Sequence, residues 1–342
     1  MKWNPAKLEK KDLGAFFQDL MGKYDLYAPV RLTEGVSVYK KIDDPGEVDL
    51  SNPNPQKPLK EVFFSQSEVM FRYEKVEKRD RVTSTEDVQR ERVALGARPC
   101  DIQAIFLLDQ VFSGKDYTDV YYLQKRKRTT IIGLACNAPL TTCFCSSMDG
   151  GPFVRRGSDL FLIDLGKAYL VEFLTEKGEA FSRNPFFKEV DKADINLANE
   201  IEERALKKAD ASLSVEGIEK RLDEMSESPF WDRAQEKCIG CRVCTYLCPT
   251  CHCFDIADEA LNERGQRVRN WDSCLSALYS LETSGHNPRP TGRERTRQRL
   301  MHKFNYFPKN FGPMACVGCG RCIIYCPANF DIRQTLKEII AK

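Results

Sequence analysis

The 342 residues are enough for two domains with a sizeable core. The 52 basic and 50 acidic residues leave a net charge of +2, which predicts neither nucleic acid nor an anionic membrane as the main partner. The chain opens without the apolar core of a signal peptide and has no apolar run long enough to cross a bilayer, so no direct membrane insertion is expected. Fifteen cysteines in such a chain predict a reduced, cytoplasmic protein whose thiolates bind metal.

The beginning of the chain predicts a helix and then several strands. Leucine and phenylalanine recur at helical spacing over residues 6–23, which predicts an amphipathic helix. A short hairpin is predicted over residues 27–39. Strands are predicted at residues 62–64 and 68–76, after a proline-containing loop.

From residue 92 the pattern changes to alternating strands and helices. Strands are predicted at residues 93–96 and 129–135, with helices at 101–112 and 117–128 between them. This order predicts a β-α-β unit with parallel strands. A hairpin over residues 160–173 is expected to finish the sheet.

Two cysteine runs near the end of the chain have the same spacing. Residues 238–249 and 316–327 both read C-x-x-C-x-x-C-x-x-x-C-P, which is typical of bacterial ferredoxins that bind two 4Fe-4S clusters. Each cluster needs four thiolates, and in these ferredoxins the last cysteine of each run binds the other cluster. The first cluster is therefore assigned to Cys238, Cys241, Cys244 and Cys326, and the second to Cys316, Cys319, Cys322 and Cys248.

Zinc is the alternative metal for such cysteine pairs, but two complete runs that each end in Cys-Pro favour iron-sulfur clusters. Gly240, Gly318 and Gly320 are expected to let the backbone pass close to the clusters. Because oxygen damages exposed clusters, an anaerobic or protected setting is expected.

The whole chain therefore predicts an α+β fold in three parts. A mixed α/β domain covers residues 1–190, a charged helical connector covers 191–237, and a two-cluster ferredoxin-like domain covers 238–342. An insertion over residues 249–315 is expected to be helical. Its arginines at every second position are predicted to scatter over a helix surface: Arg293, Arg295, Arg297 and Arg299.

Four cysteines of the first domain predict a third 4Fe-4S cluster. Cys100 and Cys136 each follow a predicted strand, and parallel strands bring such residues to the same edge of a sheet. Cys143 and Cys145 lie in the adjoining loop and complete a set of four thiolates. Buried free cysteine and a zinc site remain alternatives.

Three cysteines are left after these assignments. Cys251, Cys253 and Cys274 could form an extra metal site with His286, but they are one short of a thiolate set, so packing beside the clusters is the alternative. A thiol-based reductase that acts on sulfur or disulfides at these three cysteines is a second hypothesis for function. A redox-sensing or scaffold protein is a third.

The sequence lacks the common motifs for nucleotide binding and for hydrolytic catalysis. It contains no G-x-G-x-x-G after a strand, no P-loop, no G-x-S-x-G and no H-E-x-x-H. We therefore expect no flavin or nicotinamide bound by this chain, and no catalytic residue. The main hypothesis is a chain that carries electrons.

The cysteine motifs and their surroundings resemble one known family. The resembling segments are Arg98-Pro99-Cys100-Asp101, Cys143-Phe144-Cys145, Cys248-Pro249-Thr250-Cys251-His252-Cys253, Asp272-Ser273-Cys274 and Gly285-His286-Asn287, besides the two runs. The chain is similar to the iron-sulfur electron-transfer subunits of cytoplasmic hydrogenase and sulfur-reductase complexes. This group includes the beta subunit of archaeal sulfhydrogenase and the A subunit of anaerobic sulfite reductase.

The resemblance implies partners that the residues alone do not. Such subunits lie between a flavin subunit that exchanges electrons with NAD(P)H and a catalytic subunit. That catalytic subunit is a nickel-iron hydrogenase in one branch and a siroheme sulfite reductase in the other. The resemblance also implies a cluster at the third cysteine group, and it leaves the branch open.

Overall fold

The computed structural model describes residues 3–76, 79–85, 89–114, 117–209 and 211–341. Its strands are β1 (Ala6–Glu9), β2 (Asp25–Thr33), β3 (Val36–Lys41), β4 (Ser67–Val76), β5 (Arg79–Ser84), β6 (Arg92–Ala97), β7 (Thr129–Leu134), β8 (Leu160–Asp164), β9 (Ala168–Phe173), β10 (Phe187–Lys188), β11 (Phe254–Leu261) and β12 (Arg264–Trp271).

Short helices connect the strands and make up most of the C-terminal part. They are α1 (Leu13–Lys23), α2 (Lys60–Phe63), α3 (Pro99–Phe112), α4 (Val120–Lys127), α5 (Glu176–Glu179), α6 (Lys192–Lys208), α7 (Ile218–Glu224), α8 (Phe230–Gln235), α9 (Val243–Tyr246), α10 (Gly292–Met301), α11 (Phe307–Phe311), α12 (Arg321–Ile324) and α13 (Ile332–Ile340). A π-helix (His302–Tyr306) joins α10 to α11. Across the described ranges, no helix is both long and apolar enough to span a membrane.

An eight-stranded mixed sheet is the centre of the N-terminal part. Its strand order is β10-β1-β9-β8-β7-β6-β2-β3, with β2, β6, β7 and β8 parallel and the outer strands antiparallel. The parallel strands β6 and β7 are buried along their whole length, because helices cover both faces of the sheet. The predicted β-α-β unit is therefore present, and it brings the ends of β6 and β7 to one edge of the sheet.

Three groups of helices cover this sheet. Helix α1 packs on one face through Phe16, Phe17 and Leu20, and α2, α3 and α4 pack on the other. Helix α6 lies against β8 and β9, where Ala198, Ile201 and Ala205 are buried. Because α6 packs on the sheet, the first half of the predicted connector is part of the N-terminal core.

The C-terminal part has its own apolar core. Helices α7, α8, α10 and α13 and the π-helix pack together around residues such as Trp231 and Phe304. Phe144 and Met148 of the N-terminal part belong to the same core. The two parts are therefore joined by a shared hydrophobic interior.

A second, four-stranded sheet was not predicted. Strands β11 and β12 form a hairpin inside the insertion, and β12 pairs with β4 in the order β11-β12-β4-β5. The prediction of a helical insertion is therefore wrong for residues 254–271. The hairpin lacks a clear apolar alternation because most of β11 is exposed, and the edge strand β5 is exposed along its whole length.

Two smaller predictions also differ from the structure. Residues 62–64 were predicted as a strand, but residues 60–63 form α2. Its last residue Phe63 and the following Phe64 are both buried. The predicted first helix begins only at Leu13, because Ala6 and Leu8 face the sheet core from β1 with a two-residue period.

Candidate iron-sulfur sites

The first predicted cysteine set lines one cavity. Cys238, Cys241, Cys244 and Cys326 all border this cavity, and Cys322 of the second predicted set reaches it as well. Its remaining walls are mostly apolar and include Leu275, Leu300, Phe330 and Ile332. Cys241 is exposed, so this cavity reaches the protein surface.

The second predicted set lines a smaller cavity deeper in the protein. Cys316, Cys319, Cys322 and Cys248 all border it. Burial raises the pKa of Cys316 to about 11 and also raises the pKa of Cys319 and Cys322. The structure thus places the last cysteine of each run beside the thiols of the other run.

Two buried cations lie beside these cavities. Arg299 borders both of them, donates from Nη2 to the Cys244 carbonyl at 3.2 Å, and has no hydrogen-bond partner for its buried Nε. Lys303 donates from Nζ to the Cys248 Sγ at 3.2 Å. Positive charge and an unused N-H beside cavities lined by thiols fit a bound group that is anionic and rich in sulfur acceptors.

The cavities suit a group of several atoms better than one ion. Within the described residues, no three cysteine, histidine or acidic side chains meet closely enough to hold a single metal ion. Each predicted set of four thiols instead surrounds a space. The donor set and the cavities therefore fit 4Fe-4S clusters.

The third predicted set gathers at the carboxyl edge of the parallel strands. Cys136 follows β7 and lies close to both Cys143 and Cys145, and Cys100 in the first turn of α3 lies close to Cys145. Burial raises the pKa of Cys143 to about 12 and that of Cys145 to about 11. All four thiols are partly or fully buried.

The loop of the third set packs directly on the loop of the second. The Phe144 N-H donates to the Gly318 carbonyl at 2.8 Å, and a Cβ added at Gly318 would lie 2.4 Å from the Phe144 oxygen. Gly320 meets Thr142 as closely, with the Thr142 oxygen 2.6 Å from an added Cβ. Both glycines also have positive φ. They are therefore required by the contact between the two loops, which the sequence did not reveal.

A buried ion pair also holds the second and third cysteine sets together. Arg321 lies two residues after Cys319 of the second run. It donates through both terminal nitrogens to the Asp101 carboxylate at 2.8 Å. Both side chains are fully buried. The Asn54 amide also donates to the Cys319 carbonyl at 2.7 Å. The second and third cysteine sets are therefore held as neighbours by polar contacts as well as by packing.

The structure does not bring the four residues of the predicted extra metal site together. The Cys251 side chain contacts Cys248, while Cys253 contacts Cys274 and Tyr279. The hydrogen bond with Cys274 is the main reason that the pKa of Cys253 falls to about 6. His286 is exposed, and within the described residues it is not a partner of either pair. These cysteines form two separate contacts, of which the one between Cys251 and Cys248 lies at the second cavity.

Sequence reasoning missed the buried charges. Arg299 was predicted as plain surface with its neighbours, but it is buried, whereas Arg293, Arg295 and Arg297 do lie nearer the surface. The available signal was the spacing of Leu300, Phe304 and Phe307, which marks a buried helix face beside Arg299. That face also carries Lys303.

Comparison with known proteins identifies the family of the chain. Residues 237–330 match the 4Fe-4S dicluster domain family. Over 337 residues the chain is 34% identical to the Sulfhydrogenase 2 subunit beta of Pyrococcus furiosus, and the match covers 98% of each chain. No solved structure matches the chain. The resemblance inferred from the cysteine motifs is thus confirmed, and the chain belongs to the family of iron-sulfur beta subunits of sulfhydrogenases.

Proposed function

We propose that this chain relays electrons between a flavin subunit that uses NAD(P)H and a nickel-iron hydrogenase subunit. The observation that carries the proposal is the order of the three cysteine sets in space. The first set reaches the surface at Cys241, the second lies behind it, and the third contacts the second through Phe144 and Gly318. Such a series suits stepwise transfer of single electrons through the protein.

Each part of the chain has a defined task in this proposal. The first and second sets hold one 4Fe-4S cluster each, and Cys100, Cys136, Cys143 and Cys145 hold a third. A bound 4Fe-4S cluster supplies a site that accepts and donates one electron. The apolar side chains around the first cavity limit the access of water, and the Asp101–Arg321 pair keeps the second and third sites adjacent.

The proposal assigns no catalytic residue to this chain. The sequence lacks nucleotide-binding motifs, so NAD(P)H and flavin chemistry are assigned to a partner subunit. The full-length relative is a subunit of a sulfhydrogenase, and for this reason we propose the hydrogenase branch over the sulfite reductase branch. We assign the protein to the cytoplasm in the same proposal.

The third cluster can be tested by iron content. Changing Cys143 and Cys145 together to serine is expected to remove about four iron atoms per chain, because a 4Fe-4S cluster loses two of its four thiolates. Iron and sulfide are measured on the purified chain. Cys253→Ser with Cys274→Ser is the matched control, since these two cysteines also contact each other but belong to no proposed cluster. Unchanged iron in the first variant would remove the third cluster from the proposal.

The relay itself can be tested with electron donors. The isolated chain, with its clusters, is expected to show no oxidation of NADH or NADPH with a viologen acceptor, because it has no place for a hydride acceptor. Addition of an NAD(P)H-oxidising flavoprotein subunit from a sulfhydrogenase is expected to reduce the chain. Appreciable turnover by the chain alone, or flavin bound to it, would contradict the proposed role.

A further inference from the structure

Arg299 and Lys303 are buried charges whose presence the fold alone does not explain. Arg299 is 7% exposed and Lys303 is 3% exposed, and they lie four residues apart at the junction of α10 and the π-helix. Among the residues that the structure describes, neither forms an ion pair with a carboxylate. Buried cations are strongly unfavourable without a nearby negative group. The negative charge near them comes from the cysteine thiolates around the cavities and from the group that those thiolates bind.

The hydrogen bonds of Lys303 direct its charge at one cysteine set. Two protons of its ammonium group bind the Thr250 hydroxyl and the Ala315 carbonyl, each at 2.9 Å. The third points to the Cys248 Sγ at 3.2 Å. Because these three partners fix the ammonium group, its charge lies beside the second cavity.

Arg299 is placed differently, because it borders both cavities. Its side chain contacts Cys244 of the first set, and its neighbours also include Cys322 of the second. Its Nε has no partner among the described residues and is fully buried. The guanidinium charge is therefore shared between the two sites.

These charges have a predictable effect on reduction. Each electron added to a cluster makes it more negative, and burial disfavours the more highly charged state. The second site is the more buried, since Cys319 is buried while Cys241 of the first site is exposed. Nearby cations and N-H groups directed at sulfur favour the reduced state and raise the potential.

We propose that Lys303 raises the reduction potential of the second cluster and that Arg299 raises the potentials of both, which allows the buried cluster to accept electrons from the exposed one. This inference depends on the cluster assignment of the proposed function. Both side chains are positioning residues, because they act on the potential of a group that other residues hold.

The test is a potentiometric titration, followed by electron paramagnetic resonance, of the full chain with its clusters. Lys303→Gln is expected to lower the midpoint potential of one cluster by at least about 59 mV, a tenfold change in its reduction equilibrium, and to change the other less. Arg299→Gln is expected to lower both potentials. Arg297→Gln is the control on the same helix, because Arg297 pairs with Glu227 and borders neither cavity.

Variants that keep the charge separate an electrostatic role from a structural one. Lys303→Arg and Arg299→Lys are expected to retain potentials close to those of the original chain. Full iron content with unchanged potentials in Lys303→Gln would overturn the inference. If Lys303→Gln binds too little iron to titrate, equal loss in Lys303→Arg would also overturn it, whereas retention in Lys303→Arg would support it. Absence of 4Fe-4S signals in the original chain would instead refute the proposed function.

Discussion

Replacing Asp101 by alanine is expected to destabilise the protein by about 3–5 kcal/mol, because the change leaves the Arg321 guanidinium buried without its anionic partner. In the intact protein this pair is bidentate, with both distances at 2.8 Å and no exposed surface on either side chain. Arg321 also donates from Nε to the Pro55 carbonyl, so it cannot turn toward solvent without breaking a further buried contact. The loss is measured as a lower urea midpoint together with release of iron.

A matched pair on the surface provides the control. Arg267 and Asp258 form an equally bidentate contact at 2.8 and 2.7 Å, but both side chains are more than two-fifths exposed. Asp258→Ala is expected to cost at most about 1 kcal/mol, because water solvates the remaining charge.

A double variant tests the reason for the large effect. Changing both Asp101 and Arg321 to leucine removes the two charges together, so it is expected to cost less than Asp101→Ala alone. A double variant as unstable as the single one would show that the loss comes from packing at this junction and not from the unpaired charge.

The sequence predicted those features that depend on short-range chemical constraints. The spacing within each cysteine run and the crossing of Cys248 and Cys326 follow from the number of thiolates that a cluster needs. The edge of the sheet where Cys100 and Cys136 lie follows from the parallel pairing of β6 and β7. Both patterns are contained in a few residues, and the structure groups these cysteines accordingly.

Features that depend on distant contacts could not be predicted in this way. The hairpin of β11 and β12 has a turn at Asn262 and Glu263 without a glycine, and its partner β4 lies almost two hundred residues earlier. Arg299 and Lys303 are buried against Cys244 and Cys248, which lie 55 residues earlier in the chain. The contact of Gly318 with Phe144 likewise becomes visible only when both loops are placed.

Removal of iron is expected to unfold the C-terminal helices while the eight-stranded sheet stays folded. Burial raises the pKa of Cys244, Cys316, Cys319 and Cys322, so these thiols are neutral near pH 7 once iron is removed. Arg299 then loses the negative charge beside it, while Lys303 keeps one partner in Cys248, whose pKa is lowered by a hydrogen bond with Cys251. A buried ion without a partner costs several kcal/mol. Hydrogen exchange is expected to show loss of protection in α10 and α13, and retained protection in β6 and β7.

A variant without the two cations distinguishes this explanation from a simple loss of cross-links. Arg299→Leu with Lys303→Met replaces both charges by apolar side chains of similar length, so the iron-free form no longer has these two buried cations to accommodate. We therefore expect iron-free α10 to be better protected in this double variant than in the original chain. Equal loss of protection would show that the ligation of iron alone holds the helices together. Full protection of α10 and α13 in the iron-free original chain would contradict both explanations, since the shared core around Trp231 and Phe304 would then suffice for folding.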